Sequence, residues 1–385
     1  MKILYCIAGT YRPGGMERVL ANKANYLAQH GYEVTIVTTE QKGRDAFFAL
    51  DPHIRCIDLA IGYEDNNGQS LFNKLIHYPR KQVLHKKRIK RVLREVKPDV
   101  TVSMFCNEVS FLASMKDGGL KVLEIHFSKF KRLQYGRAGL WHLVDAWRSR
   151  QDERIVRRYD RFVVLTEEDA SYWGALPNIC VIPNARTFNP STVASLTSKN
   201  ALAVGRFTYQ KGFDRLLEAW KEVHASCPDW KLDIVGDGEL KEVMQRYVAD
   251  NGLADIVTLV PPTERMDEVY KSASMVVLSS HYEGLPMILL EAQAYGLPIV
   301  SFACKCGPKD VVTDGVDGFL IPEGDVPALA DRIVQLAQDD ALRQKMGLAA
   351  RLASERYEEE RVMAKWMRLF NENGRTQTNE TEYKV

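Results

Sequence analysis

Two glutamates, Glu283 and Glu291, stand eight positions apart around a predicted helix start. The apolar run Met275–Leu278 is typical of a strand buried on both faces, and Pro286 and Gly296 bracket the next segment as helix start and helix stop. Glu283 therefore stands at the mouth of a strand-to-helix turn, and Glu291 lies more than one helical turn inside. One extended polar ligand could touch both carboxylates, and sugar hydroxyls at one end with ribose hydroxyls at the other would suit the distance.

The turn between this strand and this helix, residues 279–284, lies at the carboxyl end of the strand, where an open α/β sheet binds ligands. The free N–H groups of the helix start also favour an anion there. A structural interpretation stays open, in which Glu283 caps the helix and Glu291 is solvated. Against it, a carboxylate is costly in apolar surroundings unless it is hydrogen-bonded. The neighbours of Glu291 are apolar or small: Ile288, Leu289, Leu290, Ala292 and Ala294.

A second group of residues that could take part in chemistry is the turn with Gly205, Arg206 and Lys211. This turn follows another predicted strand, at residues 201–205. Two cations close to a strand end and a helix start can neutralise a diphosphate, Arg206 with its planar fork and Lys211 as a point charge. Basic residues in a loop are also common without any such role. The pair alone therefore leaves a plain surface turn open.

Both groups resemble motifs of one enzyme family. The run E-G-L-P-M-I-L-L-E is similar to the E-x7-E motif of retaining nucleotide-sugar glycosyltransferases, in particular glycosyltransferase family 4, which has the GT-B fold. The run G-R-F-T-Y-Q-K-G is similar to that family's G-R-x4-K-G diphosphate signature. The resemblance implies that Glu283 contacts the donor sugar and Glu291 the ribose. It also implies that Arg206 and Lys211 bind the diphosphate.

The resemblance extends into the first half of the chain. The run G-G-M-E-R at Gly14 and Gly15 is similar to the family's glycine-rich first loop, although a plain tight turn stays open. His126 directly follows a predicted strand, and the family's histidine at the corresponding place contacts the donor sugar near the reacting centre. A lone histidine is otherwise more often structural.

The resemblance thus assigns a full set of site residues. Gly236 and Asp237 would edge the nucleotide pocket, as the family's G-D-G turn does. The implied catalytic residues are His126, Arg206, Lys211 and Glu283. The implied substrate-binding residues are Gly14, Gly15, Arg206, Lys211, Gly236, Asp237, Glu283, Gly284, Leu285, Pro286, Met287 and Glu291. Asp310 stands where the family commonly has glutamate, a mild departure at a helix start.

Composition narrows the class of protein. The 385 residues suit two domains, and 45% hydrophobic with 26% charged residues is typical of a soluble globular protein. A net charge of +2 argues against general nucleic-acid binding. Seven cysteines, an odd and scattered number, fit a reducing cytoplasm better than a disulfide framework. No apolar run approaches the ~20 residues that span a bilayer, so we expect any membrane contact to be peripheral.

Missing motifs exclude other chemistries. The chain has no D-x-D run, so the metal-carboxylate route of the other common glycosyltransferase fold has no obvious ligands, and we expect no metal or other cofactor. It has no G-x-x-x-x-G-K-[ST] run either. After Gly236, Asp237 and Gly238, Lys241 stands where a dinucleotide fingerprint needs its third glycine. A P-loop NTPase and a nicotinamide enzyme are therefore disfavoured.

Strands and helices alternate in two series, which predicts an α/β protein with two doubly wound, Rossmann-like domains facing across a cleft. We expect an acceptor-side domain at residues 1–184 and a donor-binding domain at residues 185–358. A C-terminal helix at residues 359–373 should complete the first domain. Residues 374–385 are polar and are predicted to be a disordered tail.

A strongly basic segment spans residues 73–97. Its cations include Lys81, Lys86, Lys87, Arg88, Lys90, Arg91 and Arg94. A basic amphipathic helix can lie on an anionic membrane surface, where each cation adds ~1 kcal/mol of binding free energy. Such charges are more often the solvated face of a helix, so both interpretations stay open. Lipid-linked acceptors, which the family often uses, favour peripheral docking on the inner face of the cell membrane.

The hypothesis that follows is a metal-independent retaining transferase. It would move a hexosyl unit from a nucleoside diphosphate sugar, a UDP-sugar, to a hydroxyl of a glycan or lipid-linked acceptor in bacterial cell-surface polysaccharide synthesis. An enzymic rival is a hydrolase or epimerase of UDP-sugars on the same fold. A non-enzymic rival is an inactive GT-B paralogue that serves as a binding or scaffold subunit. Such a paralogue should have lost Arg206, Lys211 or a motif glutamate, and all are present.

Overall fold

The computed structural model describes residues 1–66, 71–130 and 140–372. They form two compact units. Unit 1 comprises Met1–Leu165, Ala170–Ile182 and the described residues from Met363 onward, and unit 2 comprises Thr166–Asp169 and Pro183–Val362. The predicted tail at residues 374–385 lies outside the described residues.

Unit 1 is built on a parallel sheet. Its strands are β1 (Lys2–Cys6), β2 (Glu33–Thr38), β3 (Arg55–Asp58), β4 (Val100–Ser103), β5 (Leu120–Glu124), β6 (Arg161–Val164) and β7 (Ile179–Val181). The helices along the same stretch of chain are α1 (Gly15–Gln29), α2 (Leu71–Val96), α3 (Leu140–Val156) and α4 (Glu167–Trp173). Across the described residues the strand order is β3-β2-β1-β4-β5-β6-β7.

The strands of unit 1 form where the sequence has short apolar runs. Every residue of β4 and β5 is buried, as expected for central strands of a sheet covered on both faces. The sequence predicts a strand in each of six apolar runs, and the structure has all six: residues 2–8, 33–39, 99–105, 120–125, 161–165 and 180–182. Strand β3 was not predicted. It is an edge strand along β2 with three exposed residues, so it lacks the apolar run that marks the others.

Unit 2 repeats this architecture. Its strands are β8 (Asn200–Val204), β9 (Lys231–Val235), β10 (Val257–Val260), β11 (Met275–Leu278), β12 (Ile299–Phe302) and β13 (Gly318–Ile321). Its helices are α5 (Phe213–Ser226), α6 (Lys241–Asp250), α7 (Met266–Ser272), α8 (Met287–Ala294), α9 (Pro308–Val311), α10 (Val326–Gln338) and α11 (Asp340–Ala353). The last helix, α12 (Glu359–Asn371), leads the chain back to unit 1. The strand order is β10-β9-β8-β11-β12-β13, and every pairing is parallel.

Helix α5 shows how the layers of unit 2 are formed. Its buried residues include Phe213, Leu216, Leu217, Trp220 and Val223, which recur at the spacing of one helical face. They join the side chains of the sheet in one hydrophobic core. The helix therefore lies with its apolar face on the sheet.

The strand order of each sheet reverses at one point. In unit 1 the chain winds outward in opposite directions from β1 and β4, and in unit 2 from β8 and β11. In open α/β sheets such a switch point opens a crevice at the carboxyl ends of the strands, and ligands bind there. The predicted α/β class with two doubly wound halves is confirmed. Within the described part of the chain, no helix is long and apolar enough to cross a membrane.

Candidate active site

The switch point of unit 2 carries the two motifs identified in the sequence. Strand β8 is followed by Gly205, Arg206 and a 3₁₀ turn at Tyr209–Lys211. Strand β11, its parallel neighbour, is followed by the turn at residues 279–286, which leads into α8. Because neighbouring parallel strands end at the same edge, the structure brings the Arg206–Lys211 turn and the Glu283 turn together.

Hydrogen bonds join these two turns. Ser279 Oγ donates to the carbonyl of Lys211 at 3.0 Å, and the N–H of His281 donates to the carbonyl of Gln210 at 2.9 Å. Gly212 lies between them with a φ of +59°, and a Cβ there would stand 2.3 Å from the carbonyl oxygen of Ser279. Only glycine fits this close approach without displacing the backbone.

An ion pair between Lys211 and Glu283 lies at the centre of the switch point. Lys211 Nζ donates to Glu283 Oε1 at 2.7 Å, and Ser280 Oγ donates to the same oxygen at 2.6 Å. The side chains are 17% and 7% exposed, so the pair is largely shielded from water. Glu283 does not cap α8, whose N-cap is Pro286 without a side-chain cap bond. The capping interpretation of Glu283 is therefore wrong.

Arg206 extends the positive charge of this site toward solvent. It is exposed, in contrast to the largely shielded Lys211. Among the described residues its guanidinium has no hydrogen-bond or ion-pair partner, while the Lys211 ammonium is matched by Glu283. A guanidinium fork that is solvated and uncommitted is suited to binding an incoming phosphate.

The turn after β9 packs against the turn after β8. A Cβ on Gly236 would stand 1.9 Å from the carbonyl oxygen of Gly205, and the N–H of Phe207 donates to the carbonyl of Asp237 at 2.8 Å. Gly236 is thus required by the approach of two backbones. Asp237 is exposed at the edge of the site, 3.5 Å from Lys241 in a solvated ion pair. This arrangement places Gly236 and Asp237 beside Gly205 and Arg206.

Glu291 lies on α8 and is half-buried. The hydroxyl of Tyr270, a residue of α7, donates to Glu291 Oε2 at 2.5 Å. The carboxylate is therefore hydrogen-bonded within the protein, and this bond offsets the free-energy cost of placing it among apolar residues. The interpretation of Glu291 as merely solvated is wrong.

The segment between the glutamates is held by packing. Leu285 and Pro286 are buried, and Gly284 and Met287 are partly exposed. Met287 Sδ accepts from Asn184 Nδ2 at 3.5 Å. These contacts fix the start of α8, so the position of Glu291 follows from that of the turn.

Gly14 and Gly15 lie in unit 1, after β1 and at the start of α1. Gly14 is the N-cap of α1, and a Cβ on it would stand 2.0 Å from Glu17 Oε2. Gly15 is exposed, and a Cβ on it would meet nothing within 4 Å. The first glycine therefore leaves room for a carboxylate that folds back over the helix start, and the second has an open surface around it.

His126 lies in unit 1, two residues after the end of β5. Its Nε2 is 3.1 Å from Glu124 Oε1, and the same oxygen accepts from Lys23 Nζ at 2.5 Å. Glu124 is 1% and Lys23 5% exposed. Despite burial, Lys23 and His126 hold the pKa of the Glu124 carboxyl at about 2. Burial lowers the pKa of Lys23, against the raising effect of Glu124.

Four residues with a part in these sites were not predicted: Ser280, Tyr270, Glu124 and Lys23. Ser280 carried a signal, since it lies in the turn already assigned to ligand binding. Tyr270 and Lys23 carried none, because their partners lie on other elements. Glu124 stands two residues before His126, but nothing in that spacing indicates its bond to Lys23 of α1. Among the described residues, no group of three or more His, Cys, Asp or Glu side chains could hold a metal ion.

Two family models match the chain in succession. Residues 13–186 match the model described as Glycosyltransferase Family 4, and residues 186–353 match the model described as Glycosyl transferases group 1. An uncharacterized glycosyltransferase of Haemophilus influenzae is 30% identical, with 95% of this chain and 98% of the relative covered. The amylovoran biosynthesis glycosyltransferase AmsD of Erwinia amylovora is 29% identical, with 96% and 99% covered.

Solved structures share the fold over the whole chain. A sucrose-phosphate synthase from Thermosynechococcus elongatus superimposes with a TM-score of 0.81 at 19% identity, covering 97% of this chain and 99% of the other. A TarM variant of Staphylococcus aureus, in complex with fondaparinux, alpha-GlcNAc-glycerol and UDP, gives a TM-score of 0.77 at 18% identity, covering 96% and 99%. At these identities the likeness concerns the fold, which is GT-B.

Proposed function

The chain belongs to glycosyltransferase family 4, with the GT-B fold, and from this membership we propose that it is a metal-independent retaining hexosyltransferase. The donor is a nucleoside diphosphate sugar, a UDP-sugar. The acceptor is a hydroxyl of a glycan or lipid-linked molecule in bacterial cell-surface polysaccharide synthesis. The observation that carries the proposal is the Lys211–Glu283 ion pair at the switch point of unit 2, with Arg206 exposed beside it.

The charges of this site suit a diphosphate leaving group. Arg206 offers a solvated guanidinium, and the Lys211 ammonium is held in place by Glu283 and by the turn around it. Cations fixed where negative charge develops lower the barrier without reorganising during the reaction. Arg206 and Lys211 would thus stabilise the diphosphate as it departs, which is the role that metal ions have in other transferases.

The hydrogen bonds that Glu283 already accepts bear on how the sugar is transferred. Its Oε1 accepts from both Lys211 and Ser280, so this oxygen is poorly suited to attack a sugar carbon. We propose that the acceptor oxygen bonds to the anomeric carbon on the face from which the diphosphate leaves. The bond from that carbon to the phosphate oxygen breaks, and this oxygen takes the proton of the acceptor hydroxyl. Glu283 would contact the sugar and Glu291 the ribose.

The comparisons support the nucleotide and the pathway. AmsD acts in amylovoran biosynthesis by its name, and the TarM variant was solved with UDP and a GlcNAc-glycerol compound. A scaffold paralogue is the weaker alternative, because Arg206, Lys211, Glu283 and Glu291 are all present and two of them form an ion pair. A hydrolase or epimerase would form product without an acceptor, and a transferase should not.

Helix α2 is the candidate for peripheral contact with the inner face of the cell membrane. Lys81 and Arg88 donate to backbone carbonyls of Gly62 and Leu59, so they are engaged within unit 1. The exposed residues of α2 include Arg80, Lys86, Lys87, Lys90, Arg91 and Arg94, together with Val83, which is 71% exposed. An exposed apolar side chain among cations suits an anionic bilayer surface.

Vesicle flotation tests the membrane proposal. Replacing Lys86, Lys87, Lys90 and Arg91 by glutamine should weaken binding to anionic vesicles by about 10² or more, since each cation adds ~1 kcal/mol. Replacing four exposed lysines of unit 2, Lys199, Lys221, Lys231 and Lys345, removes equal charge elsewhere and should change binding little. Equal losses in both variants would mean that net charge alone drives the association.

The donor is tested by thermal stabilisation with a panel of UDP-, GDP- and ADP-sugars, each with EDTA. A ligand at ~100 Kd should add about 2.7 kcal/mol to the free energy of unfolding. We expect a shift with a UDP-sugar that survives EDTA and is lost in Arg206→Ala. A shift only with another nucleotide would replace the UDP assignment. No shift with any sugar nucleotide would favour the scaffold alternative.

A further inference from the structure

A stack of aromatic rings lies behind Glu291. Tyr270 is fully buried, and its ring stacks on that of Tyr295 with centroids 5.0 Å apart and an interplanar angle of 15°. Phe188 packs edge-on against both rings, at 6.1 Å and 5.9 Å. These contacts hold the Tyr270 ring in one orientation, so its hydroxyl points in one direction.

The two stacked tyrosines serve different carboxylates. The hydroxyl of Tyr270 donates to Glu291 Oε2 at 2.5 Å, and that of Tyr295 donates to Asp267 Oδ1 at 2.7 Å. Asp267 is also paired with Lys271 at 2.6 Å on the same helix. The stack therefore carries two chemically equivalent hydroxyls. Only that of Tyr270 bonds Glu291, the proposed ribose contact.

A short bond from a rigid donor changes what Glu291 can do. A glutamate side chain has several rotatable bonds, and ordering it on binding costs conformational entropy. A carboxylate that is already oriented in the free protein avoids most of that cost. The lone pairs of the carboxylate then point in fixed directions.

We propose that Tyr270 is a positioning residue, whose hydroxyl orients the Glu291 carboxylate toward the ribose hydroxyls of the nucleotide. Tyr270 thereby sets the preference for a ribonucleotide over an analogue without those hydroxyls. The inference rests on the proposed function, because it takes Glu291 to be the ribose contact. It adds the residue that makes this contact selective.

The test measures ribose discrimination by calorimetric titration. UDP and 2′,3′-dideoxy-UDP are titrated into the full-length wild type and into Tyr270→Phe, and the GDP and ADP pairs replace them where UDP does not bind. We expect the wild type to prefer the ribonucleotide by about tenfold or more, because the deoxy analogue cannot donate to the oriented Glu291 carboxylate. In Tyr270→Phe the ratio should fall to about threefold or less.

Tyr295→Phe is the matched control. It removes the neighbouring hydroxyl of the same stack, which bonds Asp267, and it should leave the ratio at the wild-type value. Phenylalanine preserves the ring packing at both positions, and near-UV circular dichroism verifies this. Combining Tyr270→Phe with Glu291→Gln should lower the ratio no further than either change alone, because the two residues act as one unit.

The outcomes separate the two hypotheses. If Tyr270→Phe weakens both nucleotides by one common factor, Tyr270 has only a structural role and the inference is overturned. The same follows if Tyr295→Phe lowers the ratio equally, or if the wild type does not discriminate. If the wild type binds none of the nucleoside diphosphates, the proposed function fails and the inference fails with it.

Discussion

Arg206 and Lys211 differ in their surroundings, so their removal should have different consequences. Arg206 is exposed and, among the described residues, unpaired, so Arg206→Ala should lower kcat by ~10² or more with little change in stability. Lys211→Ala should lower kcat at least as much. It should also cost ~3–5 kcal/mol of stability, because it leaves the buried Glu283 without its counter-charge.

Donor-saturated kinetics and chemical denaturation measure both effects. Arg246→Ala, which removes an exposed arginine of α6, serves as the control and should change neither quantity. Activity near normal in both Arg206→Ala and Lys211→Ala would reject the diphosphate assignment. A stability loss as large for Arg206→Ala as for Lys211→Ala would contradict the difference in burial on which the comparison rests.

Glu108 makes stability depend on pH. It is 1% exposed, and burial raises the pKa of its carboxyl from 4.5 to about 7, although Ser103 Oγ donates to it at 2.6 Å. The folded protein therefore holds this proton more tightly than the unfolded chain. The resulting stability is fully present below about pH 4.5 and is lost as pH rises through about 7.

Glu108→Gln should remove this loss, because glutamine keeps the shape and carries no charge. Relative to the wild type, the variant should gain about 3 kcal/mol in the free energy of unfolding at about pH 8. The gain should nearly vanish at about pH 4.5. Urea denaturation across pH measures it, with the exposed Glu218→Gln as control. A gain that is constant with pH would show that the carboxyl does not titrate in this range.

At the scale of elements, Gly212 fixes how the turn after β8 meets the turn after β11. A Cβ there would stand 2.3 Å from the carbonyl oxygen of Ser279, and the backbone is left-handed at φ +59°. Gly252 has a similar φ of +67° with nothing within 4 Å of a Cβ. Gly212→Ala should therefore abolish donor binding. It should also destabilise the protein by more than Gly252→Ala does, where the dihedral strain costs ~1 kcal/mol. Thermal unfolding with and without UDP compares them, and equal losses would mean that dihedral strain, not the contact, governs position 212.

Elements were easier to predict than the contacts between them. The strand-to-helix turns at Arg206 and Glu283 have local signals in the sequence: an apolar strand before each turn, and glycine or proline within it. The structure has both turns at the predicted places. Strands β12 and β13 were not predicted, and β3 lacked a signal altogether. The bond from Tyr270 to Glu291 joins two helices, and the spacing of residues along one helix carries no information about its neighbour.

At the scale of the whole molecule, unit 1 is discontinuous in sequence. The described residues from Met363 onward return to it after the chain has passed through unit 2. Trp366 of α12 is 1% exposed, and its ring lies 3.9 Å from Lys23 Nζ, the cation paired with Glu124. Helix α12 thus covers the lysine of the buried Lys23–Glu124 ion pair, which His126 also contacts. The packing of a C-terminal helix on elements from the start of the chain has no signal in the local sequence beyond the apolar face of that helix.

Trp366→Ala should therefore weaken unit 1 selectively. Deleting a buried tryptophan costs ~3–5 kcal/mol, and here it also strips an aromatic cover from a buried lysine. Hydrogen exchange should become faster in β1 and β5 and stay unchanged in β8 and β11, because the donor residues of unit 2 keep all their contacts. The affinity for UDP should stay at the wild-type value, and Trp147→Ala, at 62% exposure, should alter neither measurement. Equal loss of protection from hydrogen exchange in both sheets would instead show that the two units unfold as one cooperative body. The C-terminal helix would then stabilise the donor site as much as it stabilises unit 1.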